Sequence, residues 1–152
     1  MDVENQYRLI QVSSLTWPRG LQIPSKRFRL FVAADATVIA SELIAEFSQN
    51  ALEQGMVYLC AWGPDCQKVH DLADGVVVAD ELGKGLVIRP TKNDTIMTTW
   101  HDESLEDALD FFVNASYPTE GFAAGSDFWL AVCVNNPAWA HTIERRLARA
   151  HL

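Results

Sequence analysis

The sequence predicts a three-layer α/β/α sandwich built on a mostly parallel sheet of about five strands. Three observations carry that prediction: apolar runs of strand length, helical patterns lying between them, and alternation of the two from residue 28 onward. The runs are continuous instead of alternating, as expected of strands covered on both faces. Strand–helix alternation in turn implies right-handed crossovers, with helices on either side of the sheet.

Strands are expected at residues 28–34, 56–61, 76–79, 95–100 and 128–134, each too short for a helix and rich in β-branched or aromatic side chains. Residues 7–12 form a possible edge strand, and residues 86–88 a further short one in the long connection between Asp80 and Asp94. A helix over 37–54 places Ile39, Leu43, Phe47 and Ala51 on one stripe and stops at Gly55. A shorter one over 64–74 starts with Pro64 at the first helical position and stops at Gly75. Residues 104–115 carry Leu105, Ala108, Leu109 and Phe112 on one face, with Ser104 and Asp107 arranged as a capping box. The last helix opens with Asn136 as N-cap and Pro137 at N1, buries Trp139, Ile143 and Leu147, and gathers Arg145, Arg146 and Arg149 near its C-terminal end. Residues 1–27 then make an arm with the edge strand, irregular over 13–26, and residues 28–152 a single α/β domain.

The chain has 152 residues and a formal charge of −8, from 20 acids and 12 bases. That balance argues against nucleic acid or anionic lipid as the main partner, since such binders present a basic face. No apolar run reaches membrane-helix length and the first residues lack signal-peptide character, so a cytoplasmic protein is expected. Three cysteines are an odd number for a disulfide framework, and Cys60 and Cys133 sit in apolar runs as small core residues. The acidity is local. Residues 1–36 hold five bases and three acids (+2), residues 37–120 four bases and fifteen acids (−11), and residues 121–152 three bases and two acids (+1).

Open parallel sheets bind ligands beyond the carboxyl ends of their strands. The predicted strands place there Asp35, the turn Trp62-Gly63-Pro64-Asp65-Cys66, Asp80-Glu81, the run Trp100-His101-Asp102-Glu103, and Asn135-Asn136. Asp35, Asn135 and Asn136 are accounted for by turn and capping preferences. Trp62 and Trp100, with His101 beside them, suit a shared binding surface. Cys66 falls near a helix N-terminus, where a thiol pKa drops, and a nucleophile served by His101 and oriented by Asp102 or Asp80 can be drawn. Cys66 and His70 lie at i, i+4 on one helical face, and with His101 they form a weak metal set without a recognised metal motif. No GxGxxG, GxxxxGK[ST] or GxSxG string is present, so dinucleotide, P-loop and α/β-hydrolase chemistries lose their usual support.

The strings Ala61-Trp62-Gly63-Pro64-Asp65-Cys66, with His70-Asp71 following, and Met97-Thr98-Thr99-Trp100-His101-Asp102-Glu103, running into Leu105-Glu106-Asp107-Ala108-Leu109, resemble a group of short bacterial proteins classed as a domain of unknown function. The resemblance covers roughly residues 28–140. Ser104 stands where that group often has proline. No activity comes with the resemblance; it implies that the two tryptophan-containing turns are the group's signature.

Two functions fit these residues. The first is a non-enzymatic interaction or regulatory protein whose acidic surface, with Trp62, Asp65, Trp100, His101, Glu103, Glu106 and Asp110, binds a protein partner with a basic face and needs no cofactor. The alternative is a small-molecule enzyme with a Cys/His/Asp or metal-assisted site at the strand ends. Convergence of Cys66, His101 and a carboxylate within hydrogen-bond reach in a concave pocket would favour the enzyme. Oligomeric state is left open.

Overall fold

A computed structural model of the chain describes residues 6–151; the first five positions of the predicted arm lie outside them. Strands β1 (Tyr7–Val12), β2 (Phe28–Ala33), β3 (Met56–Trp62), β4 (Met97–His101) and β5 (Trp129–Val134) form one sheet in the order β1-β5-β2-β3-β4. Every pairing is parallel. Helices α1 (Ser41–Glu53), α2 (Cys66–Ala79), α3 (Leu105–Ala115), α4 (Glu120–Ala123) and α5 (Pro137–Ala150) complete the α/β fold.

Side-chain alternation along the strands divides the interior into two cores. Leu30 and Val32 of β2 meet Ile44 and Phe47 of α1 and Val69, Ala73 and Val77 of α2 on one face. Phe31 and Ala33 meet Leu109 and Phe112 of α3 and Ile143 and Leu147 of α5 on the other. β2 is buried along its whole length, which explains why its sequence is continuously apolar. Its one exception is Arg29. That side chain donates from Nε to the Ser126 carbonyl at 3.2 Å, and its guanidinium lies 4.7 Å from the Trp129 ring centre and 5.8 Å from that of Tyr117. The aromatic faces substitute for solvent around a buried cation, and burial lowers its pKa.

The irregular segment 13–27 crosses the α1/α2 side of the sheet. Leu15 is fully buried and Trp17 packs 6.0 Å from Phe28 and 5.6 Å from Phe47, so this strap is part of the core. Residues 7–12 do form an edge strand, paired in register with β5.

Several local expectations change. Residues 76–79 are not a strand but the last turn of α2, which runs through Gly75 without stopping. Glycine inside a helix costs about 1 kcal/mol against alanine. The stripe Val69, Ala73 and Val77, buried against the sheet, outweighs that penalty. Pro64 is not the first helical residue, because Asp65 adopts a left-handed conformation before Cys66 starts the helix. Residues 86–88 form no strand. The helix expected over 37–54 is a 3-10 turn at Ala36–Val38, a break, and then α1. Ile39 therefore leaves the helical stripe, and Leu43 turns outward while Ile44 is buried. Among the described residues no helix is long and apolar enough to cross a membrane.

The 80–96 connection is organised by two buried carboxylates. Asp80 accepts from the N–H groups of Leu86 (2.7 Å) and Val87 (3.3 Å) and faces Arg89 at 3.6 Å. Asp94 accepts from Thr119 Oγ1 and Gly121 N, both at 2.8 Å, and from Thr91, joining the connection to α4. The Thr119 hydroxyl first, and the backbone donors after it, hold the Asp94 carboxyl below its ordinary range.

Candidate functional site

The turn after β3 fixes one side of the site. Gly63 has φ +118°, and a Cβ there would stand 2.1 Å from the Ala34 carbonyl oxygen, so only glycine fits. Ala34 N donates to Trp62 O and Ala36 N to Pro64 O, which binds the exits of β2 and β3 together. Cys66, the first residue of α2, donates from Sγ to the His101 carbonyl at 3.3 Å and ties the start of α2 to the end of β4.

That contact is with the His101 backbone, and the imidazole lies elsewhere. Thr98 bonds Asp74 of α2, so Trp100, two residues on, shares the α2 side of the edge strand. Thr99 and His101 face the opposite side, where the imidazole packs 4.6 Å from the Phe111 ring of α3. The nucleophile–base pair drawn from sequence is therefore not assembled. Burial also pushes the Cys66 thiol up from its ordinary value, and the nearby Asp102 and Glu103 charges add to the rise, the reverse of the expected activation.

His101 is 6% exposed and both ring nitrogens are occupied: Nδ1 by Glu103 Oε1 and Nε2 by Thr99 Oγ1, each at 2.8 Å. A carboxylate at Nδ1 places a proton on that nitrogen. Thr99 Oγ1 in turn lies 3.6 Å from Cys60 Sγ, and burial raises the Cys60 pKa to about 12. This line of groups is a buttress between the edge strand and α3. With no lone pair directed outward, His101 cannot join Cys66 and His70 around a metal. His70 instead pairs with Asp71 at 2.9 Å, and among the described residues no group of three or more potential ligands is placed to hold an ion.

Asp80, drawn as a partner of His101, lies at the far end of the sheet, because the segment before it is helix and not strand. Of the acidic residues expected at the surface, Asp65, Asp102, Glu103 and Glu106 are exposed, Glu103 with its carboxylate on His101. Asp110 is engaged by Arg146 at 2.7 Å and is not a free charge.

The tryptophans do converge. Trp62 donates its indole N–H to the Glu103 carbonyl at 2.8 Å and meets Trp139 of α5 edge-on, with ring centres 4.9 Å apart at 83°. Trp100 remains 41% exposed. These three rings and His101 border an open cleft of about 550 Å³ that also takes in Asp65, Cys66, Asp102 and Glu103, and no lysine or arginine. Cys66 and His101 both line it, yet the thiol's bond is to the His101 carbonyl and not to the imidazole.

A second cleft of about 440 Å³ adjoins the first, sharing Pro64 and Trp139 with it. It opens over the ends of β2 and β5 and includes Asp35, Asn135 and residues of the strap and of α1. Sequence reading assigned Trp139 to the buried stripe of α5 and Leu43 to that of the helix over 37–54, and gave Val38, Ser13 and Ser14 no role in a site. The strap and the α1 turn have no strand-end signature of their own.

Over residues 10–150 the chain matches the family described as Domain of unknown function (DUF7684), and it belongs to that family. No curated protein and no solved structure shows significant similarity to it.

Proposed function

For a member of a family without an assigned activity, we propose a non-enzymatic interaction or regulatory role, in which the acidic, tryptophan-bearing end of the sheet docks a basic segment of a protein partner. One observation carries this reading: the first cleft combines three carboxylates, one of them held by His101, and a 41% exposed Trp100 with no lysine or arginine in its lining. Charge of one sign speeds encounter with a basic partner, and a rigid aromatic side chain supplies contact area at low entropic cost. Trp62 is held by Glu103 and Trp139, so the aromatic surface is preorganised. The alternative of Cys/His/Asp chemistry is disfavoured, because Cys66 and the His101 imidazole sit on opposite sides of β4. The three thiols are unpaired and buried, which suits the reducing cytoplasm of a bacterial cell.

Affinity purification from the native cell tests the proposal, comparing the wild type with an Asp102→Lys/Glu106→Lys variant. A basic protein retained by the wild type and lost from the variant supports docking at this face. A wild-type chain that elutes alone, or a partner retained equally by both, contradicts it.

A further inference from the structure

We propose that the second cleft binds an organic cation, a guanidinium or ammonium group carried on an apolar stem. The site adjoins the acidic cleft, sharing Pro64 and Trp139 with it, but rests on its own carboxylate, Asp35, and the inference does not depend on the partner reading.

Its location follows from topology. β2 and β5 are neighbours, yet β2 leads into α1 on one face of the sheet and β5 leads into α5 on the other. The two chains diverge there and leave a crevice beyond the strand ends, the place where open parallel sheets take their ligands. About 440 Å³ is within the range of small-molecule sites.

The ligand class follows from the lining. Asp35 is its one charged side chain. Asp35 Oδ1 accepts from the backbone N and the hydroxyl of Thr37, while Oδ2 has no protein partner among the described residues. Lys68 is committed to the carbonyls of Ala36 (3.1 Å) and Ile39 (2.7 Å) and forms no ion pair with that carboxylate. Trp139, which lines the crevice, is held edge-on by Trp62; tryptophan is the ring that attracts cations most strongly. Leu43 and an 80% exposed Val38 form an apolar lip beside these groups, able to take an aliphatic stem. A carboxylate with an open oxygen, an indole and an aliphatic lip are the groups that recognise a cationic head and its stem. An anion would meet the Asp35 charge and no basic side chain in the lining.

The same head group could arrive as a free small molecule or as an arginine side chain of a peptide, and two probes separate these sources. The ¹H–¹⁵N spectrum of the full chain, with the Trp139 indole resonance assigned through Trp139→Phe, is titrated with ethylguanidinium and separately with an acetyl-Gly-Arg-Gly-amide peptide. The expected result is a saturable shift of the Trp139 indole and the Asn135 side-chain amide, weakened about tenfold in Asp35→Asn, which removes the charge and can keep the turn. Equal affinity for the two probes marks a free cation as the ligand, and tighter peptide binding marks a partner's side chain; both support the site. No saturable shift at Trp139 and Asn135 in the wild type, or the same affinity in a folded Asp35→Asn variant, overturns it. Should Asp35→Asn unfold, Val38→Ser/Leu43→Ser provides the second variant, with the same weakening expected and unchanged affinity again overturning the site.

Discussion

The indole N–H of Trp62 donates to the backbone carbonyl of Glu103 at 2.8 Å, joining the turn after β3 to the turn after β4. The same carbonyl belongs to the residue whose side chain holds His101, so one indole orients both the cleft wall and the acidic rim. Trp62→Phe keeps most of the ring and removes the donor. A loss of about 1 kcal/mol is expected, seen as a fall in Tm of roughly 2–4 °C. Trp100→Ala removes a ring with 41% exposure, and its Tm should stay closer to that of the wild type than that of Trp62→Phe. Thermal unfolding of the two variants checks the order.

Two glycines should respond oppositely to alanine. At Gly63 the new methyl would overlap the Ala34 carbonyl at a backbone angle that side chains rarely adopt, and a loss of roughly 2–4 kcal/mol is expected. At Gly75, on the exposed side of α2 with open space around it, alanine should stabilise by about 0.5–1 kcal/mol. Urea unfolding midpoints measure both.

Cys60 gives the fold an alkaline limit. Its pKa is raised by burial from an ordinary 9.0 to about 12, so the unfolded chain ionises first as pH rises. The Cys60 contribution is complete below about pH 9 and is lost progressively between about pH 9 and 12, at a slope of about 1.4 kcal/mol per pH unit. Burial raises Cys66 and Cys133 as well, which adds to the same limb. Unfolding free energies at pH 8 and pH 10 should therefore diverge less in Cys60→Ala than in the wild type, whatever the absolute loss from the missing sulfur.

The central strands were legible because burial on both faces leaves a continuous apolar run, as in β2, β3 and β5. Residues 76–79 show the weakness of the same rule. A short β-branched run after a glycine reads as a strand, and only the spacing of Val69, Ala73 and Val77 identifies it as helix. Asp80 moved to the far end of the sheet as a direct consequence. His101 was read as lying beyond its strand, whereas β4 includes it, and strand alternation then turns Trp100 and the imidazole to opposite sides. The tryptophan surface itself was visible in the two turns. Trp139 was not, because a helix N-terminal aromatic gives no sign of whether it faces the core or the sheet end.

The docking claim is tested most directly by titrating a lysine-rich peptide into ¹⁵N-labelled protein and mapping the perturbed resonances. The acidic cleft predicts saturable shifts centred on Trp100, Asp102, Glu103 and Asp65, an affinity that falls steeply as salt is raised, and loss of binding in Asp102→Lys. Absent shifts, shifts centred on another face, or binding unchanged in Asp102→Lys would contradict it.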